Sequence, residues 1–213
     1  MRIGILGSGL MGGKLGTLFA RAGHEVVFSY ARSQAKLKRL ARIAGGNALA
    51  GMPAQAARGA DALFDRALVS IPRCAATAGD ISGKVIVSCS LPMNADNTEL
   101  VVAHTSSGLE ELAKIVPKAR VAAAFNSVPS EVLFSVYEGR RRAKRPSLVY
   151  CGDDKRAKSV AATLIRDVGF NPVDAGPARI ARYIEPFALL VAQLAYEGKG
   201  DPELAYRFDR RGK

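Results

Sequence analysis

The sequence predicts an α/β fold: a doubly wound, mainly parallel sheet that ends in a short C-terminal helical segment. Three observations carry this. Short apolar runs alternate with amphipathic runs of helix length from the first residue onward. The first strand–helix step contains the glycine pattern Gly7-Ser8-Gly9-Leu10-Met11-Gly12. The 213 residues hold no repeat, low-complexity tract or long linker, which suits one domain over residues 1–213, with residues 178–213 as its helical end.

The elements follow in order. Residues 2–6 are an apolar strand, and residues 10–22 a helix with Met11, Leu15, Leu18, Phe19 and Ala22 on one face. Gly23 ends it. Residues 25–30 form a second strand, and residues 33–44 a second helix closed by Gly45-Gly46. Residues 53–59 read as a short helix, 67–71 and 84–89 as strands stopped by Pro72 and by Leu91-Pro92. The pair Asp65-Arg66 leaves the start of the 67–71 strand open by several residues. Ser107 and Glu110 fit a capping box for a helix running to Val116. Strands at 120–124 and 146–151 precede a helix that Asp153 caps and that runs to Val168. A strand at 172–174 follows. Residues 178–196 have helical spacing, which Pro186 should kink or split. Beyond Pro186 the run is apolar nearly all round, a pattern of core burial or of a subunit contact.

Gly7-Ser8-Gly9-Leu10-Met11-Gly12 is a G-x-G-x-x-G pattern, weak alone but here set between a strand and a helix. Gly7 permits the tight turn, Gly9 lets a pyrophosphate approach the backbone, and Gly12 allows close packing of helix on strand. The helix start offers free N–H groups and a positive dipole end. This is a Rossmann-like dinucleotide site. An NAD-type site places an acid at the end of the second strand. The chain instead reads Phe28-Ser29-Tyr30-Ala31-Arg32-Ser33. Arg32 suits a 2′-phosphate, with Ser33 and Lys36 beside it, so the cofactor expected is NADP(H). The same residues also read as an exposed basic helix start, continued by Lys38, Arg39 and Arg42.

The net charge is +12, from 31 Lys and Arg against 19 Asp and Glu. Such a balance attracts phosphorylated ligands and polyanions. The densest patch, Arg140-Arg141-Arg142-Ala143-Lys144-Arg145, reads as a solvated loop, without aromatic residues between the charges and without a nucleic-acid motif around it. Cys74, Cys89 and Cys151 are odd in number and lack C-x-x-C spacing, so neither disulfides nor a metal site is expected. Cys89 and Cys151 read as buried hydrophobes. No run approaches the about 18 apolar residues of a membrane span. A cytoplasmic protein without membrane or nucleic-acid partners is expected.

Several segments together resemble the coenzyme F420-dependent NADP reductases and the NADP-binding oxidoreductases around them, including STEAP-type reductase domains. They are Met1-Arg2-Ile3-Gly4-Ile5-Leu6-Gly7-Ser8-Gly9, Gly23-His24-Glu25-Val26-Val27, Val69-Ser70-Ile71-Pro72, Val87-Ser88-Cys89-Ser90-Leu91-Pro92, Ala124-Phe125-Asn126-Ser127-Val128-Pro129, Cys151-Gly152-Asp153-Asp154, Asp174-Ala175-Gly176-Pro177 and Glu203-Leu204-Ala205-Tyr206. The resemblance implies that Ser70, Ile71, Pro72, Ser90 and Asn126 border the reacting rings at the C-terminal edge of the sheet. Turn chemistry alone also explains Pro, Ser and Asn in those loops, and the two readings stand side by side. The chain departs from the archaeal reductases, which resemble a His where it has Asn126. The resemblance implies hydride transfer between NADP(H) and F420 or a flavin-like partner, by positioning rather than by a catalytic acid–base pair. The acidic tail of F420 would suit the overall charge. His24 reads as a helix-end residue and His104 as a loop residue, neither with an evident carboxylate partner. Two other functions fit the residues: reduction of a small carbonyl or imine, and non-catalytic sensing of NADP(H). The C-terminal segment is the expected homodimer contact.

Overall fold

The computed structural model describes residues 1–29, 33–65, 77–102, 104–209 and 211. Among the described residues eight strands form one sheet: β1 (Arg2–Leu6), β2 (Glu25–Ser29), β3 (Ala48–Ala50), β4 (Ala62–Asp65), β5 (Val85–Ser88), β6 (Arg120–Ala124), β7 (Ser147–Cys151) and β8 (Asn171–Asp174). Their order is β3-β2-β1-β4-β5-β6-β7-β8. Neighbours from β3 to β6 are parallel, β6 and β7 are antiparallel, and β7 and β8 are parallel again. The helices are α1 (Leu10–Arg21), α2 (Gln34–Ala44), α3 (Pro53–Ala57), α4 (Gly108–Ile115), α5 (Leu133–Glu138), α6 (Lys155–Val168) and α7 (Ala181–Tyr196).

Strand alternation divides the core between the two faces of the sheet. Ile3, Ile5, Val26, Phe28, Phe64, Val85 and Val87 pack with α1 and α6. Their strand neighbours Leu6, Val27, Leu63 and Ile86 pack with α3 and α4 on the other face. On the first face Phe19, Phe64 and Phe125 meet edge to face, with ring centroids 5.8 to 6.0 Å apart. Runs buried on both faces are what a parallel sheet requires, and this explains the nearly continuous apolar strands of the sequence.

Several expected boundaries shift. A strand not expected from the sequence, β4, spans Ala62–Asp65 and pairs with β1 from Ala62; the strand expected at 67–71 lies outside the described residues. The helix before β8 is capped by Asp154, whose side chain accepts from the Ala157 N–H at 2.8 Å. Asp153 instead accepts from the Ala178 N–H at 2.9 Å, tying this turn to the C-terminal segment. Pro186 does not split the last helix. The break falls before it, at a 3₁₀ turn over Ala178–Ile180, and α7 then runs through the proline. Only one side of α7 is buried, by Ile184, Ala188, Val191 and Ala195, while Leu190 and Leu194 are more than half exposed at 54% and 58%. The short elements β3 and α5 carry no periodic signal long enough to read in the sequence.

His24 does have a carboxylate partner. Its Nε2 lies 2.9 Å from Asp167 Oδ2, across a sequence separation that local reading cannot bridge. Cys151 is fully buried, and burial pushes its thiol up to about 12, so it is an inert core residue. Cys89 is buried as well. No helix among the described residues is long and apolar enough to cross a membrane. Among the same residues no group of His, Cys, Asp and Glu is arranged to hold a metal.

Candidate functional site

The glycine loop is built by the end of β2. The Ser29 carbonyl accepts from the N–H of Gly7 at 3.3 Å, from the N–H of Ser8 at 3.2 Å and from the Ser8 hydroxyl at 2.9 Å. The Ser29 hydroxyl in turn donates to the Ile5 carbonyl at 2.8 Å. Ser8 is fully buried and acts as a brace, so its side chain faces the protein and not a ligand. Gly7 has φ +116°, a conformation glycine adopts freely. Gly9 is the N-cap of α1 and has no capping side chain, so the first N–H groups of the helix remain free for an anion. A Cβ on Gly12 would lie 2.2 Å from the Gly7 carbonyl oxygen, which shows how closely the helix packs on the turn.

Ser33 caps α2, accepting from the Lys36 N–H at 3.2 Å, and both residues are exposed. They stand at the start of α2, which follows β2, the strand that braces the loop. Arg32, Ser70, Ile71 and Pro72, all singled out by the sequence, lie outside the described residues.

A cavity of about 660 Å³ opens at the C-terminal edge of the sheet. Leu10 and Met11 contribute the start of α1, Cys89 and Leu91 the loop after β5, residues 125–126 and 128–130 the loop after β6, and Ala188, Val191 and Tyr196 the helix α7. Of the expected site residues, Leu10, Met11 and Asn126 therefore meet in one space. Ser90 is 7% exposed and lies behind the lining, its N–H donated to the Ser88 hydroxyl at 3.2 Å.

Asn126 is the most informative residue of the cavity. It is 8% exposed, and neither its Nδ2 nor its Oδ1 has a hydrogen-bond partner among the described residues. A buried amide left unpaired costs about 1–3 kcal/mol for each group. Phe125 before it has φ +66°, a left-handed conformation that a bulky side chain adopts only when the surroundings hold it there. The loop is held from behind. Ser127 Oγ and Tyr206 Oη lie 2.8 Å apart, and the same tyrosine oxygen accepts from the Val149 N–H at 3.2 Å. Lys14 of α1 holds the far end of the loop, donating to the Ser130 carbonyl at 3.0 Å and to its hydroxyl at 3.1 Å. Tyr196 donates to Glu131 at 2.7 Å, and burial together with that carboxylate raises its hydroxyl to about 12. The tyrosine therefore stays protonated at neutral pH.

Helix α7, which forms one wall, is docked by a device the sequence reading missed. Glu185 is 1% exposed and accepts from the N–H groups of Gly108 and Leu109 at 2.8 and 3.2 Å, closing the start of α4. Burial raises its carboxyl to about 7. One turn earlier Arg182 grips Glu110 with two bonds, at 2.9 and 2.7 Å. Glu110 was expected to cap the Ser107 N–H; its carboxylate instead accepts from the Ser107 hydroxyl at 2.8 Å and from Arg182, which holds it below the usual carboxylate range. The sequence clue is an acid, Glu185, set among the apolar positions of α7.

Residues 2–92 match the family model described as NADP oxidoreductase, coenzyme F420-dependent. The rat (Rattus norvegicus) metalloreductase STEAP3 is 28% identical over 193 residues, which is 88% of this chain and 36% of that protein. The chain thus spans about a third of that relative's length. The structure of a candidate F420-dependent NADP reductase from Arthrobacter sp. FB24 superposes with a TM-score of 0.83 at 23% identity, covering 99% of this chain and 100% of the other. A reductive aminase from Aspergillus terreus, solved with NADPH and ethyl levulinate, superposes with a TM-score of 0.65 at 20% identity over 91% of this chain and 61% of the other. At these identities the two structures establish the Rossmann-like fold. The family match, over residues 2–92, thus spans the glycine loop, β2 and the start of α2.

Proposed function

We propose that the chain is an NADPH-dependent oxidoreductase that passes a hydride between NADP(H) and a flavin-like or deazaflavin partner. NADP(H) supplies the hydride chemistry, and the protein binds, orients and keeps water out. The observation that carries this reading is the unpartnered Asn126 amide in the cavity that begins at the glycine loop. A carboxamide has one donor group and one acceptor, as does the nicotinamide substituent, so Asn126 complements it. The pyrophosphate is assigned to the turn at Gly7, Gly9 and Gly12 and to the free N–H groups of Leu10 and Met11. The 2′-phosphate is assigned to Arg32, Ser33 and Lys36. Ser70, Ile71, Pro72 and Ser90 are assigned to the strand-end border of the rings, with Ser90 in a supporting place. The homodimer expectation attaches to the exposed face of α7 at Leu190 and Leu194.

Side-by-side titration with NADPH and NADH tests the reading. NADPH is expected to bind more tightly, and Arg32→Ala is expected to weaken NADPH by about 10- to 100-fold while leaving NADH within about twofold, because only the 2′-phosphate contact is lost. Equal affinity for both nucleotides in the unaltered protein would refute the NADP assignment. Asn126→Ala should weaken NADPH by about 10-fold; if affinity is unchanged, the carboxamide does not sit there. Binding without turnover on F420, FMN, riboflavin or a small imine would favour the sensor.

A further inference from the structure

The chain carries +12 overall, yet its cavity does not share that sign. Among the described lining residues there is no Lys, Arg or His, while Asp96 and Glu197 stand at the rim. Lys14, which holds the loop after β6, is spent on Ser130 and lies 3.8 Å from the Glu131 carboxylate. The basic loop from Arg140 to Arg145 takes no part in the lining. The rest of the described lining combines apolar side chains, among them Met11, Leu91 and Val191, with uncharged polar ones, among them Asn97, Thr98, Asn126 and Gln193.

Resting on the function proposed above, we infer that the partner of NADP(H) in this cavity is a small molecule without negative charge, and not a polyanionic carrier. The overall charge describes the surface, whereas the second substrate meets only the field of the groups that surround it. A phosphate or a poly-acidic tail entering between Asp96 and Glu197 would meet like charge. An uncharged isoalloxazine ring would meet apolar and neutral polar side chains and no like charge. The transfer balances as NADPH + H⁺ + acceptor → NADP⁺ + reduced acceptor. The hydride carries both electrons, and the proton comes from water.

Riboflavin and FMN test this, since they share one ring system and differ by a phosphate. Their binding is read by flavin fluorescence quenching, on the protein–NADP⁺ complex and on the free protein, at low and at high salt. Riboflavin is expected to bind about tenfold more tightly than FMN at low salt, with the ratio shrinking as salt screens the rim. F420 should fall with FMN. In the double variant Asp96→Lys, Glu197→Lys the ratio is expected to invert, with riboflavin itself changing by less than about threefold. FMN or F420 binding as tightly as riboflavin, a ratio unmoved by the double variant, or failure of both rings to bind would each overturn the inference. A lack of NADPH binding would remove the function proposed above but leave the ratio measurable on the free protein, so the two failures are distinct.

Discussion

Gly12→Ala is expected to abolish measurable NADPH binding and to destabilise the fold by about 3 kcal/mol. The added methyl would sit 2.2 Å from the Gly7 carbonyl oxygen and 3.2 Å from Ile5 Cγ2. The first of these is backbone, and the Ser29 carbonyl holds it in place through Gly7 and Ser8, so it cannot yield by a rotamer change. Either the loop lifts or α1 moves away from β1, and in both cases the free N–H groups leave the place where a pyrophosphate would lie. Gly13→Ala is the internal control. Its Cβ would meet Leu40 Cδ2 at 3.3 Å, the end of a flexible side chain, while alanine favours the helix by about 1 kcal/mol over glycine. That variant should therefore fold and bind nearly as the unaltered protein does. Urea denaturation and NADPH titration of both variants decide the matter. Normal binding by Gly12→Ala would mean that the close helix–turn packing is not needed by the ligand.

Glu185 should make stability depend on pH in a direction opposite to most carboxylates. Burial raises its carboxyl from the ordinary 4.5 to about 7 in the folded protein, against the pull of the Gly108 and Leu109 N–H groups. The folded state thus holds the proton more tightly than the unfolded chain does. Its contribution is fully present below about pH 4.5 and is lost as pH rises to about 7, an effect of about 3 kcal/mol. Glu110 and Asp154, held low by Arg182 and by the Ala157 N–H respectively, act in the reverse sense at acid pH. The Glu185 effect is therefore read as the difference between the unaltered protein and Glu185→Gln across pH 4 to 8, where the difference should change steadily between about 4.5 and 7. A flat difference would mean that the carboxyl titrates normally. Glu185→Ala should destabilise by about 3 kcal/mol, since it leaves two buried N–H groups unpaired. It should also weaken acceptor binding, because Ala188 and Val191 on the next turns form the cavity wall.

The glycine turn of the candidate site was legible along the chain, for a local reason. The turn from β1 to α1 is specified within six residues by glycine positions, and a strand–helix step in that register has few other uses. Asn126 stood out only through resemblance, since a polar residue after a strand also fits an ordinary turn; its unpaired amide and the left-handed Phe125 are what support the ligand role proposed above. Other parts had no local signal. His24 finds Asp167, and Tyr206 finds Ser127, across long stretches of chain. Glu110 was assigned to the nearest cap and was drawn instead to Arg182, because a bidentate guanidinium outcompetes a single N–H.

The sequence by itself determined the α/β alternation, the position of the glycine loop, the absence of an acid after β2 and most element boundaries to within a few residues. Each of these depends on periodicity or on turn chemistry over a few neighbours. Only the tertiary structure decided that β7 and β8 run as a parallel pair against the direction of the other strands, because strand direction leaves no trace in side-chain alternation. It also decided that a buried Glu185 docks α7, one wall of the cavity, on the start of α4, and that in a chain of +12 the charged residues of the described lining are two carboxylates, Asp96 and Glu197. Charge at a site is set by which side chains the fold brings within a Debye length of one another, and composition cannot state that.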